Sequence, residues 1–575
     1  MGETFAELLL ARADDEHPGL LFEDERHTWA GIVRAARGRA GLIGELAAET
    51  RAARGDRPLH VGVLLENVPE YLYWIGAAAL SGVTLVGINP TRRGAELAAD
   101  IRHTDCDVIV TDPAQAALLD GLDTGVAREH LLITGSVPYE ARLRAAGPMP
   151  GGCAANPGRP GGADSRAPED GLGVRRLPAA GDRLLLLFTS GSTGAPKAVA
   201  CGQGRLAAIG RHGSQFGIGR ESVTYIAMPL FHGNAIMANL AMAVASGATI
   251  AMRRKFSASG FLPDVRRYGV TYFNYVGRAL AYILATPETP ADAATSLEAV
   301  FGTEASAQDM RRFGMRFGCR VIEGYGSSEG AIAMRKTPGS PPDALGVPQR
   351  DIQIAVLDPE TGRECARARF GPHGELLNPD EAIGELVGLN VAEAFEGYYK
   401  NPQADAERIR DGRYWSGDLG YRDQAGFFYF AGRGTDRLRV DSENFAAAPV
   451  ERILARWEPV VMCAVYPVPD PRTGDQVMAA LEVAADFDPA RFATFLAGQP
   501  DLGTKWAPRF VRIVPSMPLT STNKVDKRPL RHDRWDCADP VWWRPGRELE
   551  YLPFDPAAAD ALRAEFAAHG REYAR

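Results

Sequence analysis

The sequence lacks the patterns that mark several common protein classes. Its seven cysteines, at positions 106, 153, 201, 319, 365, 463 and 537, form no CxxC pair, which argues against a disulfide scaffold and a structural zinc site. A formal net charge of -8 and a pI near 5.8 argue against a surface for nucleic acid. No basic leader is present, and the most apolar stretch, 71–88, is broken by Ser81-Gly82. We therefore expect a cytoplasmic protein without stable membrane insertion.

The chain is too long for one hydrophobic core, and its first two-thirds alternate two kinds of apolar pattern. Continuous apolar runs such as 60–67 and 183–188 are typical of buried strands, whereas 70–82 is typical of a helix. This alternation predicts an α/β fold with doubly wound sheets in a large N-terminal domain. Short strands at 384–389 and 426–432 predict a small β-rich subdomain.

Two other parts of the chain differ from this pattern. From about Ser136 to Asp182 the sequence is rich in Gly and Pro and poor in large apolar residues, which predicts an irregular surface loop. After Gly432 a helical pattern at 450–457 and a strand pattern at 461–468 predict a small α+β C-terminal domain.

The strongest functional signal is FTSGSTGAPKA (188–198), directly after a predicted strand. Glycines let backbone N–H groups converge on an anion, hydroxyls add donors, and Lys197 supplies a positive charge. The Walker A loop is excluded because Pro196 precedes the lysine and Ala198 follows it, and the segment has no GxGxxG fingerprint. We therefore predict that phosphates are bound by Thr189, Ser190, Gly191, Ser192, Thr193, Gly194 and Lys197.

This segment resembles the phosphate loop [YF]TSG[ST]TGxPKxV of the adenylate-forming superfamily, which includes acyl- and aryl-CoA synthetases, luciferases and nonribosomal adenylation domains. The resemblance covers most of the chain and is closest to acyl-CoA synthetases of the fatty-acid-transport-protein type, to which 271–278 and 281–287 are similar. It implies a ligase that uses ATP and Mg²⁺ to form an acyl adenylate and then transfers the acyl group to coenzyme A.

Family members rotate the C-terminal domain between these two half-reactions. The resemblance therefore implies an adenylation domain over 1–432, a hinge over 433–436 and a mobile domain over 437–575.

Two further motifs supply candidate nucleotide ligands. EGYGSSEG (323–330) resembles the family's second core motif: Tyr325 offers an aromatic face for the purine, and Glu329 offers a carboxylate for Mg²⁺. Gly326 and Ser328 belong to the same predicted nucleotide site. In YWSGDLGY (414–421), Asp418 corresponds to the family's ribose ligand, and Arg433 matches the arginine that also reaches the ribose.

The remaining motifs concern the acid and its activation. His232, in MPLFHGN (228–234), takes the position of the histidine that lines the family's acyl pocket, and we do not assign it as a general base. Lys524, in PLTSTNKVDK (518–527), takes the position of the catalytic lysine, whose ammonium stabilises negative charge during AMP transfer; Lys527 is predicted to be an ordinary surface lysine. By analogy of position, the predicted acid pocket includes Asn274, Tyr275, Gly277, Gly302 and Ala331.

Three positions depart from the family pattern and leave the acceptor open. Ser442 replaces a glycine beside the pantetheine channel, Asn523 replaces a small or aromatic residue, and Thr435 is a mild departure in the hinge. An alternative is therefore a diazotase that adenylates nitrite and transfers the nitroso group to an aromatic amine, with an amide-forming ligase as a variant. A non-catalytic binding protein is disfavoured because Lys524 and Glu329 are both present. The sequence names neither the acid nor the oligomeric state.

Overall fold

A computed structural model describes residues 2–569 except 150–176, 190–196, 277–278, 304, 306, 350, 373–375, 434–436, 441–442, 472–474, 504, 521–523 and 547. The helices are α1 Phe5–Leu10, α2 Trp29–Glu49, α3 Arg51–Arg54, α4 Pro69–Ser81, α5 Gly94–His103, α6 Pro113–Ala116, α7 Val137–Ala146, α8 Gln203–Arg211, α9 Gly233–Ala235, α10 Ala241–Ser246, α11 Ala258–Tyr268, α12 Ala279–Leu284, α13 Ala307–Phe317, α14 Pro379–Ala382, α15 Pro402–Arg408, α16 Ala447–Leu454, α17 Pro489–Ala497, α18 Lys527–Asp533 and α19 Pro556–Ala568.

The strands are β1 Pro18–Phe22, β2 Glu25–Thr28, β3 His60–Leu64, β4 Thr84–Gly87, β5 Val108–Thr111, β6 Leu131–Ile133, β7 Arg183–Thr189, β8 Lys197–Gly202, β9 Val223–Ile226, β10 Thr249–Met252, β11 Tyr272–Val276, β12 Ala299–Thr303, β13 Arg320–Gly326, β14 Ala333–Arg335, β15 Val347–Pro348, β16 Ile354–Leu357, β17 Gly384–Gly388, β18 Ile409–Arg410, β19 Arg413–Arg422, β20 Phe428–Arg433, β21 Arg437–Val440, β22 Glu443–Ala446, β23 Val460–Pro469, β24 Asp475–Val483, β25 Phe510–Ile513, β26 Val541–Trp543 and β27 Leu552–Pro553.

Two large sheets form the N-terminal part of the molecule. The six-stranded sheet has the order β6-β5-β3-β4-β7-β8 and is parallel except for β8, which runs antiparallel to β7. The nine-stranded sheet has the order β15-β14-β13-β12-β11-β9-β10-β1-β2, with parallel pairing from β13 to β1. The predicted α/β fold with doubly wound sheets is therefore confirmed.

This topology brings the sequence motifs to equivalent positions. The phosphate loop follows β7, the His232 segment follows β9, and the Glu329 segment follows β13. Each motif therefore begins where a parallel strand ends, which is where open α/β sheets bind their ligands.

Local sequence explains where the elements begin and end. Helix α4 has Pro69 at its first turn and ends at Gly82 in a left-handed conformation, as expected for these residue types. The prediction of an irregular loop from Ser136 onward is wrong for its first part: Ser136 caps α7 by accepting from the N–H of Tyr139, which is buried. The predicted polar segment 150–176 lies outside the described residues.

Smaller sheets complete the chain. Strands β16 to β20 form a five-stranded antiparallel sheet, which is the predicted β-rich subdomain. Strands β23 to β27 form a separate five-stranded sheet with its own apolar clusters on both faces. Among the described residues, no helix combines the length and apolarity needed to cross a bilayer.

Candidate active site

Strands β7 and β8 pair antiparallel, and the predicted phosphate loop connects them in the sequence. Thr189 at the end of β7 pairs with Lys197 at the start of β8. The structure therefore places both ends of the loop at the carboxyl end of β7. Outside the described residues lie Ser190, Gly191, Ser192, Thr193 and Gly194, together with the side chain of Thr189.

The ammonium group of Lys197 is held at the base of this loop. The residue is 6% exposed, and its Nζ lies 3.1 Å from the carboxylate of Glu407 in α15. The same nitrogen lies 5.3 Å from the ring centroid of Tyr398, which is within the range of a cation–π interaction. These contacts join the phosphate loop to a segment about 200 residues further along the chain.

Glu329 occupies a tight turn after β13. Gly330 beside it has a φ of +70°, a conformation that a glycine adopts without strain. Arg205 donates a hydrogen bond to the carbonyl oxygen of Ser328, which holds the turn from the side of α8. Glu329 is 7% exposed, and its Oε1 accepts a 2.7 Å hydrogen bond from the hydroxyl of Tyr398.

The donor set around Glu329 fits a magnesium ion that arrives with a nucleotide. Among the residues that the structure describes, no group of three or more His, Cys, Asp or Glu side chains is arranged to hold a metal. Mg²⁺ in nucleotide sites needs only one or two carboxylates, because phosphates and water supply its other ligands. Glu329 provides one such carboxylate, and its hydrogen bond to Tyr398 uses only one of the two oxygens.

Tyr325 and Asp418, the candidate purine and ribose ligands, are in direct contact. The hydroxyl of Tyr325 donates to Asp418 Oδ2 at 2.6 Å. Burial, and then the charge of Asp418, raise the pKa of the Tyr325 phenol well above its usual value, so the phenol is protonated at neutral pH. Gly326 ends the same strand, and Arg433 pairs with Asp418 across β19 and β20. The side chain of Arg433 lies outside the described residues.

A cavity of about 730 Å³ lies between α13 and β13, and its lining includes Met310, Val321, Glu323 and Lys336. Glu323 lies two residues before Tyr325 in β13.

The His232 segment packs against the Glu329 turn. His232 caps α9, where its Nδ1 accepts a 3.4 Å hydrogen bond from the N–H of Asn234. A Cβ atom on Gly233 would lie 3.0 Å from the hydroxyl oxygen of Ser328. The structure thus brings the predicted acid-pocket motif and the predicted metal motif into contact.

Asn274 lies in a buried row of amide side chains beneath this segment. It accepts a 2.7 Å hydrogen bond from Asn239 and donates a 2.6 Å bond to Asn234. Asn274 and Asn239 are both 0% exposed. Asn274 therefore reaches the predicted acid pocket through Asn234, the neighbour of His232.

Tyr275 and Gly302 pair on neighbouring strands β11 and β12. Tyr275 is 0% exposed, and its hydroxyl donates to Glu323 Oε2 at 2.5 Å. Ala331 is also fully buried, in the apolar core of the β-rich subdomain. Gly277 lies outside the described residues.

We expect Gly302→Ala to destabilise the protein by about 1–3 kcal/mol, the usual cost of overpacking a core. A Cβ atom there would lie 2.5 Å from both the ring and the carbonyl oxygen of Tyr275. Thermal unfolding followed by calorimetry measures the effect. Gly339→Ala is the matched control, because a Cβ atom at Gly339 would meet nothing within 4 Å. Equal melting temperatures for the two variants would contradict the prediction.

Lys524 lies in the C-terminal domain, where its backbone is hydrogen-bonded to Thr520. Its N–H donates to Thr520 Oγ1 at 3.2 Å, and its carbonyl oxygen accepts from the N–H of Thr520 at 2.7 Å. The positions that depart from the family pattern, Thr435, Ser442 and Asn523, lie outside the described residues. The two hydrogen bonds to Thr520 therefore fix the backbone of Lys524 within the C-terminal domain.

Lys527, predicted to be an ordinary surface lysine, is more enclosed than expected. Its side chain is only 16% exposed, and its Nζ lies 2.8 Å from the carboxylate of Glu451. The ion pair joins the start of α18 to α16, so Lys527 has a structural partner within the C-terminal domain.

Sequence reasoning missed three residues around the Glu329 turn: Tyr398 donates to Glu329, Arg408 donates to Tyr398, and Arg205 donates to the carbonyl oxygen of Ser328. Tyr398 lies just before α15 and Arg408 is its last residue, and the sequence there has no phosphate or metal pattern. The available signal was the aromatic pair Tyr398-Tyr399 between Gly397 and Lys400, which does not by itself indicate a partner.

Comparison with protein families gives two matches. Residues 11–387 match the AMP-binding enzyme family, and residues 449–524 match the AMP-binding enzyme C-terminal domain. The chain is 50% identical over 573 residues to steroid-22-oyl-CoA synthetase of Rhodococcus jostii, covering 99% of this chain and 98% of that protein. It is 44% identical over 542 residues to the medium/long-chain fatty acid–CoA ligase FadD17 of Mycobacterium marinum, covering 94% and 98%.

Solved structures show the same fold. The anthranilate CoA ligase AuaEII in complex with anthranoyl-AMP has a TM-score of 0.76 at 19% identity, covering 92% of this chain and 97% of that one. ATP-bound MatB from Rhodopseudomonas palustris has a TM-score of 0.74 at 22% identity, covering 93% and 99%. A more distant relative by sequence is a long-chain fatty acid transport protein from Homo sapiens. It is 28% identical over 556 residues, covering 91% of this chain and 76% of that protein.

Proposed function

Since the chain belongs to the AMP-binding enzyme family and is an adenylate-forming ligase that uses ATP to join an acid to coenzyme A, we propose that its acid is a large apolar carboxylic acid of the steroid-22-oyl kind. The observation that carries this proposal is the 50% identity to steroid-22-oyl-CoA synthetase along 573 residues. The 44% identity to a medium/long-chain fatty acid–CoA ligase makes long-chain fatty acids the second candidate. The comparisons give no support to the nitrite-activating alternative.

In the first half-reaction, a carboxylate oxygen of the acid attacks the α-phosphorus of ATP, and the bond to the β-phosphate breaks. The loop from Thr189 to Lys197 holds the leaving pyrophosphate, and Tyr325 and Asp418 hold the purine and the ribose. Glu329 would hold Mg²⁺, which would supply a Lewis acid for the phosphate oxygens. Lys524 places its ammonium beside the α-phosphate, where negative charge develops.

In the second half-reaction, the thiol of coenzyme A attacks the acyl carbonyl and AMP leaves. The C-terminal domain, residues 437–575, rotates about the hinge 433–436. This rotation moves Lys524 away from the acyl adenylate and brings another face of the same domain to the place where the thiol attacks. His232 and the Asn234–Asn274 pair border the acyl group in both steps. We place the enzyme in the cytoplasm on the sequence pattern of its seven dispersed cysteines, which include no CxxC pair.

A substrate panel tests the proposed acid. Purified protein with ATP, Mg²⁺ and coenzyme A is given a steroid 22-oic acid, hexadecanoic acid, octanoic acid and benzoic acid, and the thioesters are measured by mass spectrometry. We expect kcat/KM for the steroid acid to exceed that for hexadecanoic acid by at least about tenfold, which corresponds to about 1.4 kcal/mol of transition-state binding.

The panel separates two kinds of failure. Preference for hexadecanoic acid would reject the steroid class and leave the ligase activity intact. A further reaction replaces the acids with nitrite and an aromatic amine. Release of AMP that depends on these two compounds, and not on coenzyme A, would reject coenzyme A as the acceptor.

A further inference from the structure

Tyr398 lies between the phosphate loop and the proposed magnesium carboxylate. Its segment runs antiparallel to β8: Val199 forms a β-bridge with Tyr398, the N–H of Ala200 donates to the carbonyl of Gly397 at 3.0 Å, and the N–H of Tyr399 donates to the carbonyl of Ala198 at 2.8 Å. The backbone of this segment is therefore fixed to the strand that begins with Lys197.

The hydroxyl of Tyr398 makes two hydrogen bonds whose direction can be assigned. Arg408 Nε lies 3.2 Å from the phenol oxygen, and a guanidinium can only donate. The hydroxyl must therefore direct its own proton to Glu329 Oε1, at 2.7 Å.

From this geometry we infer that Tyr398 is a positioning residue for AMP transfer: it fixes the Glu329 carboxylate so that its second oxygen is presented to Mg²⁺. The inference rests on the proposed role of Glu329. Tyr398 is 4% exposed and Glu329 is 7% exposed, so water is largely excluded from replacing the lost hydrogen bond. Hydrogen-bond partners of this kind restrict a ligand's orientation, and their removal weakens metal binding.

Arg408, which donates to Tyr398, also contacts the ribose side of the proposed site. Arg408 Nη1 donates to the carbonyl of Trp415 at 3.2 Å, and a Cβ atom on Gly417 would lie 2.5 Å from that nitrogen. Gly417 precedes Asp418, the proposed ribose ligand. Through Arg408, Tyr398 therefore joins the metal carboxylate to the turn that carries the ribose carboxylate.

Tyr398→Phe tests the inference, because it removes the hydroxyl and keeps the ring beside Lys197. Binding of α,β-methylene-ATP, which cannot be cleaved between the α- and β-phosphates, is measured by calorimetry over a range of Mg²⁺ concentrations and in EDTA. We expect the half-saturating Mg²⁺ concentration to rise by about tenfold and the affinity in EDTA to stay unchanged. In turnover assays, the same shift should appear in the Mg²⁺ dependence.

Tyr399→Phe is the matched control. It also removes one phenol hydrogen bond from this segment, a partly buried 2.7 Å bond to Asp105, but that bond points away from Glu329. We expect its Mg²⁺ dependence to equal that of the wild type. An equal shift in both variants, or no shift in Tyr398→Phe, overturns the inference, whereas a wild-type protein that binds no nucleotide analogue overturns the proposed function itself.

A double-mutant cycle distinguishes an effect through Glu329 from a general loss of stability. If Tyr398 acts through the Glu329 carboxylate, Tyr398→Phe should shift the Mg²⁺ dependence by less than about twofold in a Glu329→Gln background. The same tenfold shift in both backgrounds overturns the inference.

Discussion

Lys524→Ala is expected to lower kcat for pyrophosphate release by about 10²–10³-fold, the usual cost of removing one group that stabilises transition-state charge. Attack on the α-phosphorus adds negative charge to the phosphoryl oxygens, and an ammonium in the proposed position offsets it. The KM for ATP should change little, because the purine, ribose and outer phosphates are held by other residues. Single-turnover measurement of pyrophosphate release gives the rate of this step.

The second half-reaction supplies a control within the same variant. Thioester formation from a chemically prepared acyl adenylate and coenzyme A does not need Lys524, so we expect it to proceed near the wild-type rate. Lys527→Ala controls for the loss of a nearby lysine: its partner is Glu451, and pyrophosphate release should stay within a fewfold of wild type. Equal loss in both half-reactions would show that Lys524→Ala acts on folding instead of on adenylation.

Much of the fold could be predicted because its strands are buried on both faces. The apolar runs 60–67 and 183–188 correspond to β3, which lies between two parallel neighbours, and to β7, which lies between parallel β4 and antiparallel β8. Such strands leave a continuous apolar signal in the sequence. Helix α7 was not predicted because its sequence has only a weak amphipathic pattern. It follows the Ser136 cap and contains a single buried residue, Tyr139.

The sequence predicts candidate site residues where a short motif contains them, but it does not predict their contacts. Tyr325 and Glu329 share one motif and Asp418 lies in another, and the hydrogen bond between Tyr325 and Asp418 was not predicted. The contact between Glu329 and Tyr398 joins residues 69 positions apart. It depends on the antiparallel placement of the Tyr398 segment against β8, and no local pattern encodes that placement.

Glu329→Gln is expected to lower kcat by about 10²-fold or more at a fixed Mg²⁺ concentration, because it keeps the size of the side chain and removes the charge that binds the metal. A metal ion stabilises the charge on the phosphates in the transition state by several kcal/mol, and loss of that stabilisation corresponds to a decrease in rate of this size. The amide oxygen can still accept from Tyr398, so the turn after β13 should keep its structure. Raising Mg²⁺ should recover part of the lost rate.

Three measurements decide the role of Glu329. Steady-state rates over a Mg²⁺ series should show a raised half-saturating concentration for Glu329→Gln, and Mn²⁺, which binds the same oxygen ligands, should restore more activity than Mg²⁺. Glu393→Gln removes a charge from an exposed position in the segment that leads to Tyr398, and its Mg²⁺ series should match the wild type. A full rate at low Mg²⁺ for Glu329→Gln would exclude this carboxylate as the metal ligand, and with it the physical reason for the hydrogen bond from Tyr398.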